Sequence, residues 1–192
     1  MKITSRIKPI LELCKNKSVL DIGATAIEKD GTWLHREISG VCSDTVGIDI
    51  INGDGIQQVN AEKPYWLGRR FDVVVAAEVI DHVSNLGIFL ENIKAHMNDN
   101  GIAVISSHNP QALEFFLEHW ITGLAFKKVT NHTHWQSIVT MRTLLNKHGL
   151  KLESYKYIHF IAGSRIGKVY DYLTWFMPAR FSRSILYVAK HS

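Results

Sequence analysis

Phe71–Ala77 reads FDVVVAA, a run with almost no polar residue on either face. A strand of that kind needs cover on both sides, and the rest of the chain repeats the pattern. Ser18–Ile22 (SVLDI), Thr45–Ile50 (TVGIDI), the weaker Ile56–Val59 and Gly101–Ser107 (GIAVISS) are short Val/Ile-rich runs. Helical patterns separate them. Thr32–Ser39 is a short helix, and Asn85–Asn98 keeps a 3.6-residue apolar period that Asn100-Gly101 closes. Strands apolar on both faces and alternating with helices predict a parallel sheet clad in helices. Right-handed crossovers then give a doubly wound topology.

The second half predicts a helix over Ser137–His148, a strand over Lys151–Ile161, a helix over Ser164–Met177 and a last strand over Ser184–Ala189. With 192 residues the chain suffices for one domain, residues 1–192, with one sizeable core. It has no run of eighteen apolar residues, so no spanning helix is expected. The basic N-terminus lacks a signal-peptide core. Cys14 and Cys42 form no C-x-x-C pair and suit small apolar roles in a reducing cytoplasm. Residues 1–100 carry 11 Lys/Arg against 14 Asp/Glu, whereas residues 101–192 carry 11 against 4. The basic half is either a solvated surface or a face for an anionic partner such as RNA or phospholipid. In particular, the segment from Arg165 to Arg183 could rest peripherally on a membrane or pack on the sheet.

In doubly wound sheets ligands gather beyond the carboxyl ends of the strands. Asp21, Gly23 and Ala24 follow the first strand, and Gly23 would let a ligand lie against bare backbone. Asp49 and Ile50 end the second, where a carboxylate can take both ribose hydroxyls. Asn60 and Ala61 follow the third, and Ala77 and Glu78 end the fourth. Each also has a purely local use. Gly23 would suit any tight turn, and Asp49 and Asn60 could each cap one.

Taken in order, VLDIG, VGIDI, VNAE, FDVVVAAEVIDHVSN, GIAVISSHNP, NHTHW and LLNKHGL resemble the successive motifs of the class I S-adenosylmethionine-dependent methyltransferases, particularly the ubiquinone-biosynthesis O-methyltransferase branch. The resemblance implies a Rossmann-like seven-stranded sheet with an antiparallel last strand. It implies S-adenosyl-L-methionine as cofactor, with Asp21, Gly23 and Ala24 at its methionine end, Asp49 and Ile50 at the ribose, Asn60 and Ala61 at the adenine, and Ala77 and Glu78 beneath the sulfonium. The first loop departs from the family's D-x-G-x-G-x-G. Thr25 and Ile27 stand at the second and third glycine positions, and the loop runs on through Gly31 to Trp33-Leu34-His35.

Glu78, Asp81 and His82, with His132 or its alternate His134, are similar to the E-x-x-E-H plus distant His that holds a divalent metal ion in small-RNA 2′-O-methyltransferases and in some ubiquinone O-methyltransferases. Otherwise Glu78 meets only cofactor, Asp81 caps the next helix, and His82 either hydrogen-bonds backbone or serves as catalytic base. His108, after the fifth strand, either faces the acceptor or belongs to the turn before Asn109-Pro110. Segment 111–136 is the expected acceptor-side insert. The acceptor implied is a small molecule or glycan. An RNA ribose is the alternative, and a non-catalytic scaffold domain is a third reading.

Overall fold

A computed structural model describes residues 6–27, 31–123, 131–158 and 178–192. Its strands are β1 (Ser18–Ile22), β2 (Asp44–Asp49), β3 (Ile56–Gln58), β4 (Phe71–Ala77), β5 (Met97–His108), β6 (Leu150–Ile158) and β7 (Ser184–His191). They form one seven-stranded sheet in the order β3-β2-β1-β4-β5-β7-β6. Pairs from β3 through to β5 are parallel, while β7 runs antiparallel between β5 and β6. The expected Rossmann-like sheet with its reversed last strand is therefore present.

Side-chain alternation explains the FDVVVAA run. Val73 and Val75 point to one face, against Ile10 and Cys14 of α1 (Ile7–Cys14) and Leu34 and Ile38 of α2 (Leu34–Ser39). Val74 and Ala76 point to the other, against Phe89, Leu90 and Ile93 of α3 (Leu86–Ala95) and Met141 and Leu145 of α5 (Ile138–Lys147). Each face needs its own apolar set, so from Val73 to Ala76 no position is left for a polar side chain.

Several boundaries differ from expectation. The predicted helix Asn85–Asn98 ends at Ala95, and β5 begins already at Met97. The Asn100-Gly101 pair sits inside that strand, at an irregularity where the register with β4 shifts. A Cβ on Gly101 would lie 2.9 Å from the Phe71 carbonyl oxygen, so this glycine admits a neighbouring backbone rather than stopping a helix. α1 was not anticipated, although Ile7, Ile10, Leu11 and Cys14 form a helical stripe. The insert contains a further helix, α4 (Leu113–Thr122), closed by Gly123 at φ 70°. The predicted helix Ser164–Met177 and the end of the Lys151–Ile161 strand lie outside the described residues.

Cys14 is fully buried and Cys42 half-buried, and both are free thiols. Burial pushes the Cys14 thiol up to about 12.

Candidate functional site

The carboxyl ends of β1, β2 and β4 share one rim. Gly23 leaves β1 at φ +82°, and a Cβ there would approach Val79 Cγ2 to 2.4 Å. The N–H groups of Gly23 and Ala24 both donate to the Ile48 carbonyl (2.9 and 3.1 Å), tying the loop to β2. Asp21, Gly23, Ala24 and Ala77 line a hollow together with Arg6, Ala26, Leu34 and His35. It holds about 10 Å³, room for roughly one water.

The long first loop supplies its own partners to this rim. Ile27 and Trp33 form an antiparallel bridge, with Gly31 at φ +86°. Trp33 Nε1 donates to the Ala24 carbonyl (2.6 Å), and His35 Nδ1 lies 2.9 Å from Asp21 Oδ2. Burial pushes the Asp21 carboxyl above its usual range, and the His35 hydrogen bond offsets part of that. Asp49 is bound by the residue at the second glycine position: its Oδ2 accepts from Thr25 N (3.0 Å) and Thr25 Oγ1 (2.7 Å). Its Oδ1 accepts from Ile51 N (3.1 Å). Ile50, beside it, is 60% exposed, an apolar side chain lying open at the rim. Asn60 Oδ1 accepts from Glu62 N in a local turn, and the Ala61 carbonyl accepts from Asn92.

Glu78 has φ +58°, a conformation that costs a non-glycine residue about 1–3 kcal/mol and gathers at functional sites. Its N–H donates to the Ser106 carbonyl, 3.0 Å away on the neighbouring strand. Its two carboxylate oxygens diverge. Oε1 pairs with Arg6 (3.0 Å), which lines the hollow, and Oε2 with His108 Nδ1 (2.7 Å). Arg6, just before α1, carried no sequence signal beyond the helical stripe that follows it.

Beyond Glu78 lies a histidine-rich patch. Asp81 is fully buried in the 3₁₀ turn Ile80–His82, and its Oδ2 accepts from His108 N (2.9 Å) and lies 3.1 Å from His108 Nδ1. Strand β5 runs one residue further than expected, and this carries His108 out of the Asn109 turn and between the two carboxylates. His132 arrives on a segment strapped to the same turn: Thr133 N donates to the Asp81 carbonyl (2.8 Å) and Thr133 Oγ1 to that of Val83 (2.8 Å). Ligand atoms of Asp81, His108 and His132 lie within 4.8 Å of one another. Asp81 Oδ1 and His132 Nδ1 are buried without a hydrogen-bond partner. Burial, with His108 beside it, pushes His132 down to about 4, so its imidazole is neutral at pH 7. Glu78 and His82 fall outside that three-residue group. His82 is exposed, its ring edge-on to His132 with centroids 4.5 Å apart. Asp81 does not cap α3; the Asn85 side chain does. Trp135 closes the patch, 5.0 Å from the His132 ring and 5.1 Å from Phe115 of α4, so the insert reaches this side.

A family model described as a methyltransferase domain matches residues 2–155. The chain belongs to that methyltransferase family. A ubiquinone biosynthesis O-methyltransferase of Azorhizobium caulinodans is 29% identical over 142 residues, 66% of this chain and 54% of that protein. One from Rickettsia canadensis is 30% identical over 90 residues, 45% of this chain and 38% of that one. The chain thus spans about half or less of the length of these relatives. An S-adenosylmethionine-dependent methyltransferase from Mesorhizobium loti superposes with a TM-score of 0.63 at 14% identity, covering 96% of this chain and 95% of that one. The N-methyltransferase NodS of Bradyrhizobium japonicum, in complex with S-adenosyl-L-homocysteine, gives 0.61 at 13% identity over 97% and 85%. These two show the fold. S-adenosyl-L-methionine is the methyltransferase cofactor.

Proposed function

We propose that this methyltransferase transfers the methyl group of S-adenosyl-L-methionine to a hydroxyl oxygen of a small molecule or glycan. One observation carries this: Glu78 stands between two compartments, the glycine-lined hollow on its Arg6 side and the histidine patch on its His108 side. The rim takes the cofactor. Asp49 binds the ribose with Ile50 under the nucleoside, and Asn60 and Ala61 border the adenine. Asp21, Gly23, Ala24, Ala77 and Glu78 surround the methionine end. Arg6 exchanges its Glu78 partner for the ligand carboxylate, which opens a hollow otherwise sized for a water.

The acceptor enters over Trp135 and the insert. Its oxygen attacks the methyl carbon in line with sulfur, the carbon–sulfur bond breaks, and sulfur keeps the electron pair as S-adenosylhomocysteine. The acceptor's proton passes to His82, exposed at the mouth of the patch, and on to solvent. That the relatives are O-methyltransferases supports oxygen as the nucleophile.

Among the described residues no helix is long and apolar enough to cross a membrane. The reading places the reaction in the cytoplasm. It leaves the basic segment 165–183, described only from residue 178, as a peripheral contact with an anionic surface. Methyl-labelled S-adenosylmethionine incubated with phenols, catechols, sugars and an RNA oligonucleotide tests the assignment. Label on a small hydroxyl compound is expected, and loss of it in His82→Ala. Label on RNA alone, falling steeply with salt, would contradict the acceptor class. No transfer to any acceptor, with no cofactor binding, would make this a scaffold domain.

A further inference from the structure

We propose that His35 is a positioning residue for cofactor binding: its Nδ1–H donates to Asp21 and keeps that carboxylate charged and held for the α-ammonium of the cofactor's methionine end. The role rests on the proposed placement of the cofactor at the rim. Asp21 stands near the end of β1, and His35 lies in the first turn of α2, fourteen residues further on. Nδ1 is 2.9 Å from Asp21 Oδ2, and both side chains line the same hollow.

Three features hold the imidazole there. The Ile27–Trp33 bridge closes the loop between the two residues. Trp33 Nε1 is bonded to the Ala24 carbonyl, and its ring lies 5.7 Å from that of His35, which fixes where α2 begins. Strand β2 then gives way to the ring. Gly47 pairs with Asp21 in the sheet, and a Cβ on it would come within 2.6 Å of His35 Cε1 and would also crowd Ile56 and Ala24. A glycine inside a strand weakens it, and here the bare backbone is what admits the ring.

The chemistry explains why a partner is needed. A carboxyl only 3% exposed favours its neutral form, and a neutral carboxyl attracts no ammonium. Burial pushes Asp21 above its usual range and Asp49 adds to that, whereas the hydrogen bond and charge of His35 pull it back. His35 engages Oδ2, so Oδ1 is the oxygen that serves the ligand. Arg6 lines the same hollow with the opposite charge. One anion and one cation in a single small hollow match the two charges of an α-amino acid, ammonium and carboxylate. Selectivity for a free α-amino group is therefore what His35 contributes, and packing alone does not supply it.

The test is calorimetric titration with S-adenosylhomocysteine and with its deamino analogue, in which hydrogen replaces the α-amino group. The wild-type chain should bind the parent compound about tenfold tighter or more, as a charge-assisted hydrogen bond requires. His35→Leu keeps the bulk and removes the donor; it should weaken S-adenosylhomocysteine about tenfold and the analogue by less than about threefold. His35→Asn, whose Nδ2 can stand where Nδ1 stands, should keep the wild-type preference within about threefold. Nitrogen-15 spectra of the ligand-free wild-type chain add a readout that depends on no variant: His35 Nδ1 should carry a proton at pH 7. The proposal is overturned by equal losses for both ligands in His35→Leu, by His35→Asn behaving as His35→Leu does, or by an unprotonated Nδ1, which would make His35 the acceptor from a neutral Asp21. Wild-type binding without preference for the amino group overturns this role alone, whereas no binding of either compound at millimolar concentration overturns the cofactor placement beneath it.

Discussion

Replacing Gly23 by alanine perturbs the rim with the smallest possible change, one methyl group. Two costs can be worked from the structure. The residue sits at φ +82°, where an L side chain costs about 1–2 kcal/mol. The new Cβ would stand 2.4 Å from Val79 Cγ2, far inside van der Waals contact, and overpacking of that kind costs about 1–3 kcal/mol. Gly23→Ala should therefore lose about 2–5 kcal/mol in urea unfolding followed by far-ultraviolet circular dichroism. The two costs separate in a double-mutant cycle with Val79→Ala, which removes the clashing methyl but not the backbone strain. In that background the Gly23→Ala penalty should fall to about 1–2 kcal/mol, giving a coupling of at least about 1 kcal/mol. A loss below about 0.5 kcal/mol in the single variant, or additivity of the two changes, would refute the reasoning and remove the physical case for a glycine at this rim.

Further outcomes follow from other residues. Thr25→Ala frees Asp49 Oδ2 from a hydroxyl donor 2.7 Å away, and should tighten S-adenosylhomocysteine binding about three- to tenfold, as release of one competing hydrogen bond with a net worth of about 0.5–1.5 kcal/mol requires. Unchanged or weaker binding would mean that Thr25 positions the carboxylate for the ribose instead. Asp72 accepts from Ser18 N, Ser18 Oγ and Asn98 Nδ2, and these bonds hold its carboxyl below the usual 3.8. Its stabilisation is thus present above about pH 4 and lost as pH falls further. Asp72→Asn should flatten the acid limb of a stability-versus-pH curve, and an unaltered limb would contradict the assignment. The Cys14 thiol, raised from 9.0 to about 12, binds its proton more tightly in the folded chain, so its contribution persists below pH 9 and is lost as pH rises toward 12. Native labelling with a thiol reagent at pH 8 should stop at Cys42, and rapid labelling of both thiols would show α1 to be loosely docked.

Much of the architecture was legible because its signal is local. FDVVVAA and GIAVISS announce strands buried on both faces, and each proved a neighbour in the parallel half of the sheet. Asn100-Gly101 misled because a glycine needed for close backbone approach leaves the same trace in sequence as one that ends a helix. The rim residues could be named from their positions after strands, since topology alone assembles strand ends. Their partners could not. Thr25 reaching Asp49, His35 reaching Asp21 and Arg6 reaching Glu78 are contacts that only the fold of the long first loop and the packing of α1 create. His108 could not be placed from the sequence because the register that extends β5 to it is set by pairing with β7, from Ser184 onward, far along the chain.

The central claim is that Asp49 and the glycine-bearing loop together grip an adenosyl ligand. Calorimetric titration of the wild-type chain and Asp49→Ala with S-adenosylhomocysteine tests it most directly. One micromolar-range site per chain is expected, weakened about ten- to a hundredfold by the substitution, as loss of a charged hydrogen-bond acceptor for two ribose hydroxyls requires. No heat at millimolar ligand, or equal affinity in Asp49→Ala, would contradict the account.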